Sequence, residues 1–247
     1  MKRQILALLA ALALCAVTPA MAETAQGVAY GVYSQAGESP DSLIRVTLTC
    51  EDGQITDAQI DEKLIPVSNG GAEGWAELTE DMQAALGEAV LSEGGKAYPQ
   101  RFALDGVVFT GTQDEQGGVV YTGQVNGEDV ALMDYICTDE GGAWYFACEK
   151  AELLDEAGET AAEVEIGTKA SIEHGVAFWP SELKFPGNIE RICAYLVEHG
   201  AAYEAADIAQ GEDGTWAVAD VTTGATLAGT PNYLLIAKEA YQKAIAE

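Results

Sequence analysis

The chain has 247 residues, with 40 Asp and Glu against 12 Lys and Arg, and a formal charge of −28. That balance argues against nucleic acid and anionic membrane surfaces as partners. Hydrophobic residues make up 48% and charged residues 21%, which excludes an acidic disordered tail and leaves material for a packed core.

At the N-terminus, Lys2 and Arg3 precede an unbroken apolar run from Ile5 to Val17, and Ala20-Met21-Ala22 follows as a small-x-small cleavage site. Residues 1–22 therefore read as a secretory signal peptide cleaved before Glu23, which places the mature protein in the periplasm or outside the cell. The run is too short to span a bilayer, and no later segment approaches that length. Leu14 argues against Cys15 as a lipid-attachment site. Loss of Lys2 and Arg3, with no acidic residue, takes the charge from −28 to −30. Cys50, Cys137, Cys148 and Cys193 remain, open to three disulfide pairings or to a life as buried thiols. No CxxC occurs, and no His stands at ligand spacing from a Cys pair, so no metal site is expected.

In the mature chain, Ile44, Val46, Leu48 and Cys50 alternate with polar residues, and Glu51-Asp52-Gly53 turns the chain into Gln54–Ile60, a hairpin with one buried face. Trp75, Leu78, Met82, Leu86 and Val90 fall on one stripe of an amphipathic helix. Gly106-Val-Val-Phe-Thr-Gly111 and Gly118-Val-Val-Tyr-Thr-Gly123 are near-copies that read as a second hairpin across Asp114 to Gly117. A strand pair is expected around Gly141-Gly142, through Tyr135-Ile136-Cys137 and Trp144-Tyr145-Phe146, bringing Cys137 and Cys148 near each other. The Ala- and Glu-rich stretch Lys150–Lys169 reads as a linker or exposed helix. It divides a β-rich region, 23–160, from a C-terminal region, 161–247, with the boundary near Ala161.

The last third carries two punctuated helices. The first has Asn188 as N-cap, an apolar face of Ile189, Ile192, Cys193, Leu196 and Val197, and Gly200 as its stop. The second has Thr230 as N-cap and Pro231 at its first position, then Tyr233, Ile236, Ala237, Ala240, Tyr241 and Ala244. Between them a short strand pair, Ala206–Ala209 and Thr215–Ala219, turns at Glu212-Asp213-Gly214. Strands that come in adjacent pairs, rather than alternating singly with helices, give an α+β fold of antiparallel hairpins packed on amphipathic helices.

The run Asp220-Val221-Thr222-Thr223-Gly224-Ala225-Thr226 joins a strand to a helix, where free backbone N–H groups can hold an anion. Gly224 and Ala225 leave room for close approach, and Thr226 offers a hydroxyl as acceptor for a phosphate ester. On composition alone such a loop is also ordinary turn chemistry. The run resembles the Asp-x-x-(Ser/Thr)-Gly-Ala-(Ser/Thr) flavinylation motif of FMN-binding domain proteins at every defining position. The resemblance implies that an FAD:protein FMN transferase, using Mg and FAD, esterifies Thr226 with FMN. It implies equally that Asp220, Thr223, Gly224 and Ala225 are recognition positions, within a C-terminal FMN-attachment region. It extends to the helix Asn232–Ile245 and loosely to Asp52-Gly53-Gln54-Ile55-Thr56-Asp57, and the middle of the chain is unmatched. Where the family usually continues with a further Ser or Thr pair, this chain has Leu227-Ala228-Gly229.

The implied protein is an exported flavoprotein moving electrons outside the cytoplasm, as carrier or reductase subunit, with a membrane or extracellular electron donor. A charge of −30 repels a free phosphate dianion, which gives a separate reason for a covalent tether. Trp216, Trp179, Phe178, Phe185 and Tyr233 are candidate walls for the ring and equally ordinary core residues, while Lys184 and Arg191 are candidate cations for its reduced, anionic form. Ser181-Glu182-Leu183-Lys184 fits S-x-x-K without the partner motifs of a serine hydrolase, and His174 and His199 are the only histidines. The competing expectation is a non-redox secreted or periplasmic binding module of the same fold.

Overall fold

The computed structural model describes residues 23–33, 42–65, 78–93, 96–113, 115, 118–170 and 182–246. Residues 1–22, expected as a signal peptide, and Trp75, His174, Phe178, Trp179 and Ser181 lie outside them. At the centre are three antiparallel strands in the order β1-β2-β3: β1 (Thr24–Tyr33), β2 (Ser42–Glu51) and β3 (Gln54–Leu64). The expected turn is formed by Asp52 and Gly53, both at positive φ, 51° and 77°, the twist that a two-residue hairpin needs. Ile44, Val46, Leu48 and Cys50 are buried together as the alternation requires. The opposite face is not left to solvent, because Tyr30 and Leu43 enter a second core.

That second core is built by the middle of the chain. Helix α1 (Glu80–Leu86) is capped by the Thr79 side chain, which accepts from the Met82 N–H. It is shorter than the stripe Trp75–Val90 suggested. Gly87, at φ 62°, ends it, and Val90 opens a two-stranded ribbon of β4 (Val90–Glu93) and β5 (Lys96–Pro99). Then come β6 (Arg101–Leu104), β7 (Val107–Gln113), β8 (Val119–Val125) and β9 (Glu128–Ala131), and the near-copies pair as β7 and β8 in the expected hairpin.

Two expectations in this region are corrected. Around Gly141-Gly142 the chain is helical, as α2 (Leu132–Ile136) and α3 (Asp139–Ala147). The Thr138 side chain accepts from the Gly141 N–H, and Asp139 and Glu140 suit the positive end of the α3 dipole. The glycines serve close packing rather than a turn: a Cβ on Gly142 would fall into the Tyr30 ring, and one on Gly141 onto the Tyr135 carbonyl. Cys137 and Cys148 are free thiols, as are Cys50 and Cys193. The stretch 150–169 is no linker, since β10 (Lys150–Leu154) and β11 (Thr160–Glu165) pair with each other and β10 with β6, completing a six-stranded sheet in the order β11-β10-β6-β7-β8-β9. Ala151 and Leu153 are buried on either side of Glu152, a strand's period of two. The boundary near Ala161 thus falls inside a strand.

The C-terminal elements cover the other face of the central sheet. Helix α4 (Lys184–His199) begins a turn before Asn188, which is a buried interior residue and not the N-cap; Gly200, at φ 76°, stops it as expected. Strands β12 (Ile208–Gln210), β13 (Trp216–Val218) and β14 (Val221–Thr222) form a small antiparallel sheet. Helix α5 (Thr230–Ala246) buries Tyr233, Ile236, Ala237, Ala240 and Ala244. Thr230 is its first residue, and its hydroxyl donates to the Leu227 carbonyl instead of capping; Gly229, whose carbonyl accepts from Tyr233, holds the cap position. Every strand pairing among the described residues is antiparallel, and the fold is α+β.

Helix α5 lies directly on β1. A Cβ at Gly27 would overlap the Ala240 carbonyl oxygen, and one at Gly31 would sit 2.6 Å from Ile236 Cδ1. Gly27→Ala is expected to destabilise the protein by about 3 kcal/mol, because backbone must move. Gly31→Ala costs less, because a side chain can rotate away. Urea unfolding of both variants checks the order.

Candidate functional site

The run Asp220–Thr226 leaves the small sheet and enters the approach to α5. Val218 pairs with Val221, so Ala219 and Asp220 form the turn between β13 and β14, with Ala219 at φ 51° and Asp220 exposed. Thr223 is buried: its N–H and its hydroxyl both donate to the Trp216 carbonyl, at 2.8 and 2.7 Å, and its hydroxyl oxygen accepts from the Ala225 N–H at 3.1 Å. Gly224, at φ 73°, reverses the chain, a conformation that glycine adopts without penalty. Ala225 is fully buried, and its carbonyl accepts from the Trp216 N–H at 2.8 Å. The two small residues and Thr223 therefore knot the loop onto β13.

Thr226 emerges from this knot partly exposed. Its N–H donates to Asn188 Oδ1 at 2.7 Å, and its hydroxyl lies 3.3 Å from the same oxygen, while Asn188 Nδ2 donates to the Lys184 carbonyl. Asn188 is a strut between the first turn of α4 and a residue 38 positions later in the chain. Its residue type signalled a side chain that bonds backbone, but the partner is a distant loop, not the local N–H groups of a cap.

The sequence-predicted residues divide. Arg191 is brought to the motif: its Cδ would stand 3.4 Å from a Cβ on Gly224. Trp216 carries the loop on its backbone. Among the described residues, its Nε1 is the buried side-chain nitrogen or oxygen without a hydrogen-bond partner. Phe185 and Tyr233 are buried in the core shared by α4, α5 and the central sheet. Lys184 is exposed at the start of α4, where it supplies the carbonyl that holds Asn188.

Beside this loop lies a charged cluster that sequence reasoning missed. Glu62 and Lys169 are 1% and 3% exposed and form an ion pair. The Ser42 hydroxyl and the Tyr233 hydroxyl donate to the same carboxylate. Lys169 Nζ stands 5.1 Å from the Tyr33 ring centroid and 5.7 Å from that of Phe185. A Cβ on Gly229 would be 2.7 Å from the Tyr33 ring and 3.4 Å from that of Tyr233, so the segment following Thr226 rests on the rings that border the pair. The signal was present in β3, where Glu62 falls in phase with the buried Ile60 and Leu64. In a chain of 40 carboxylates it was easily read as a solvated face.

Cys193, on α4 with Asn188, has its thiol pushed up to about 11, first by burial and then by the negative charge of Asp57. Unfolded, the thiol titrates near 9.0. Between those values the unfolded chain binds fewer protons than the folded one, so stability falls as pH rises.

No protein-family model, curated protein or solved structure matches the chain.

Two outcomes are expected. Asn188→Ala removes the part-buried hydrogen bonds to the Thr226 N–H and the Lys184 carbonyl and lowers stability by about 1–2 kcal/mol, measurable by urea unfolding. Cys193→Ala shows a smaller loss of stability than the parent between pH 9 and 11, read from thermal midpoints across that range.

Proposed function

We propose that the protein is an exported flavoprotein that carries FMN as a phosphoester on the Thr226 hydroxyl and passes electrons outside the cytoplasm, as a carrier or as the flavin subunit of a reductase, on an FMN-binding-domain-like α+β frame. The observation that carries this reading is the state of the motif loop. Thr223 and Ala225 are buried, Gly224 turns the chain, and Thr226 follows partly exposed with its N–H and hydroxyl both held by Asn188, whereas the exposed Thr222 hydroxyl accepts from the Gly224 N–H. An acceptor for a modifying enzyme needs a hydroxyl that is both reachable and held in place.

The surrounding residues fit the group. The phosphoester carries one negative charge, and Arg191, exposed with its aliphatic stem along Gly224, brings a cation to the loop. Tyr33, half-buried and in contact with Gly229, gives aromatic surface beside the segment after Thr226. Asn188 and the Trp216 backbone hold the loop before modification, so the FAD:protein FMN transferase meets a preformed acceptor. Asp220, exposed at the turn, is placed for recognition by that enzyme. FMN supplies the redox chemistry when bound; the chain's own residues anchor it, shape its surroundings and govern which partners reach it. The electron donor is a membrane or extracellular protein. A tether also suits a surface of strongly negative charge, which repels free FMN.

The test is the intact mass of the mature protein co-produced with an FAD:protein FMN transferase, beside Thr226→Ala handled identically. The parent gains the mass of FMN less water and keeps a yellow colour through denaturation, and the variant does neither. An unmodified parent would remove the flavoprotein reading and favour a non-redox binding module.

A further inference from the structure

We infer that the buried Glu62–Lys169 pair sets the electron affinity of the tethered flavin, Lys169 favouring the reduced ring and Glu62 opposing it. This rests on the reading that FMN is attached at Thr226. The pair lies beside a core of Ile, Leu, Val, Ala and aromatic side chains. Burying two charges there is costly, and an ion pair seldom stabilises more than an apolar pair of the same volume. A structural reason is apparent for the other buried charge of the central sheet: Lys63 donates to the Phe146 and Cys148 carbonyls at the C-terminal end of α3, where a cation is favoured. Glu62 and Lys169 meet no helix end among the described residues.

The pair is instead rigidly placed. The Lys169 N–H donates to the Glu62 carbonyl at 2.7 Å and the Leu64 N–H to the Gly167 carbonyl at 3.1 Å, so residues 167–169 are laid along β3 by main-chain bonds. Ser42 and Tyr233 fix the carboxylate. On the side of the attachment loop the pair is bordered by two rings. Tyr33 touches Gly229, and Phe185 lies one turn before Asn188, which holds Thr226. A ring tethered to Thr226 that rests on the half-buried Tyr33 would come within the field of the pair, which a low-dielectric surrounding screens little. Uptake of two electrons from a reductant and one proton from water leaves the ring one charge more negative. A nearby cation stabilises that product and a nearby anion destabilises it.

The experiment uses the full mature chain after flavinylation, with dithionite as reductant and a dye of known potential, as parent, Lys169→Met and Glu62→Gln. Intact mass is taken first. At a fixed potential, Lys169→Met is expected to lower the ratio of reduced to oxidised flavin about tenfold, equivalent to about 30 mV for a two-electron couple, and Glu62→Gln to raise it comparably. Ser42→Ala, which removes one donor from the carboxylate with little change of volume, shifts the ratio the same way as Lys169→Met and by less. It decides the matter if either charge variant fails to fold. Unchanged potentials, or shifts of one sign in both charge variants, would overturn the inference while leaving the attachment at Thr226 intact. Absence of the adduct from the parent would instead bring down the reading on which it rests.

Discussion

The fold depends on a backbone-to-backbone contact. Without a side chain at Gly27, α5 lies directly against β1, and the absence of one at Gly31 admits Ile236 a turn further along. This closeness has consequences well beyond local packing. It brings the start of α5 over the end of the central sheet, where Tyr233 donates to Glu62 and the segment leading from Thr226 passes across Tyr33. A helix held farther out by ordinary side chains would separate the loop of Thr226 from the buried charges.

The central sheet has cores on both faces, and adjacent residues of β3 serve opposite ones. Successive side chains of a strand point to opposite sides. Glu62 therefore faces α5 and meets Lys169, while Lys63 faces the other way and meets the C-terminal end of α3. Burial lowers the pKa of Lys63, yet the α3 carbonyls give its ammonium the acceptors that a buried charge requires. One strand thus delivers a structural cation to one core and an anion to the other, and only the anion lies near the loop of Thr226.

That loop shows how a short motif can be a structural unit in its own right. Thr223 ties it to the Trp216 backbone, Ala225 is buried where a larger side chain would not fit without rearrangement, and Gly224 takes a conformation strained for other residues. The motif residues Thr223, Gly224 and Ala225 are therefore ones that the folding of the loop itself requires. What distinguishes Thr226 is that its position is set by Asn188, from another element.

Local periodicity and turn chemistry were enough, in the sequence by itself, to determine the β2–β3 hairpin, the β7–β8 hairpin, the apolar stripe of α5 and the stop of α4 at Gly200. These features rest on neighbours a few residues apart. The same reasoning misread Tyr135–Phe146 as strands, because aromatic residues beside paired glycines look like a hairpin until Tyr30 is seen to occupy the space that those glycines leave. It misread 150–169 because strand pairing with β6 is long-range and leaves little local trace. The motif was legible as a string of residue types. Tertiary structure alone decided that Asn188 serves the loop rather than a helix end, and that Glu62 and Lys169 are buried together, because each depends on partners remote in sequence that only the packing of α4 and α5 on the central sheet brings into contact.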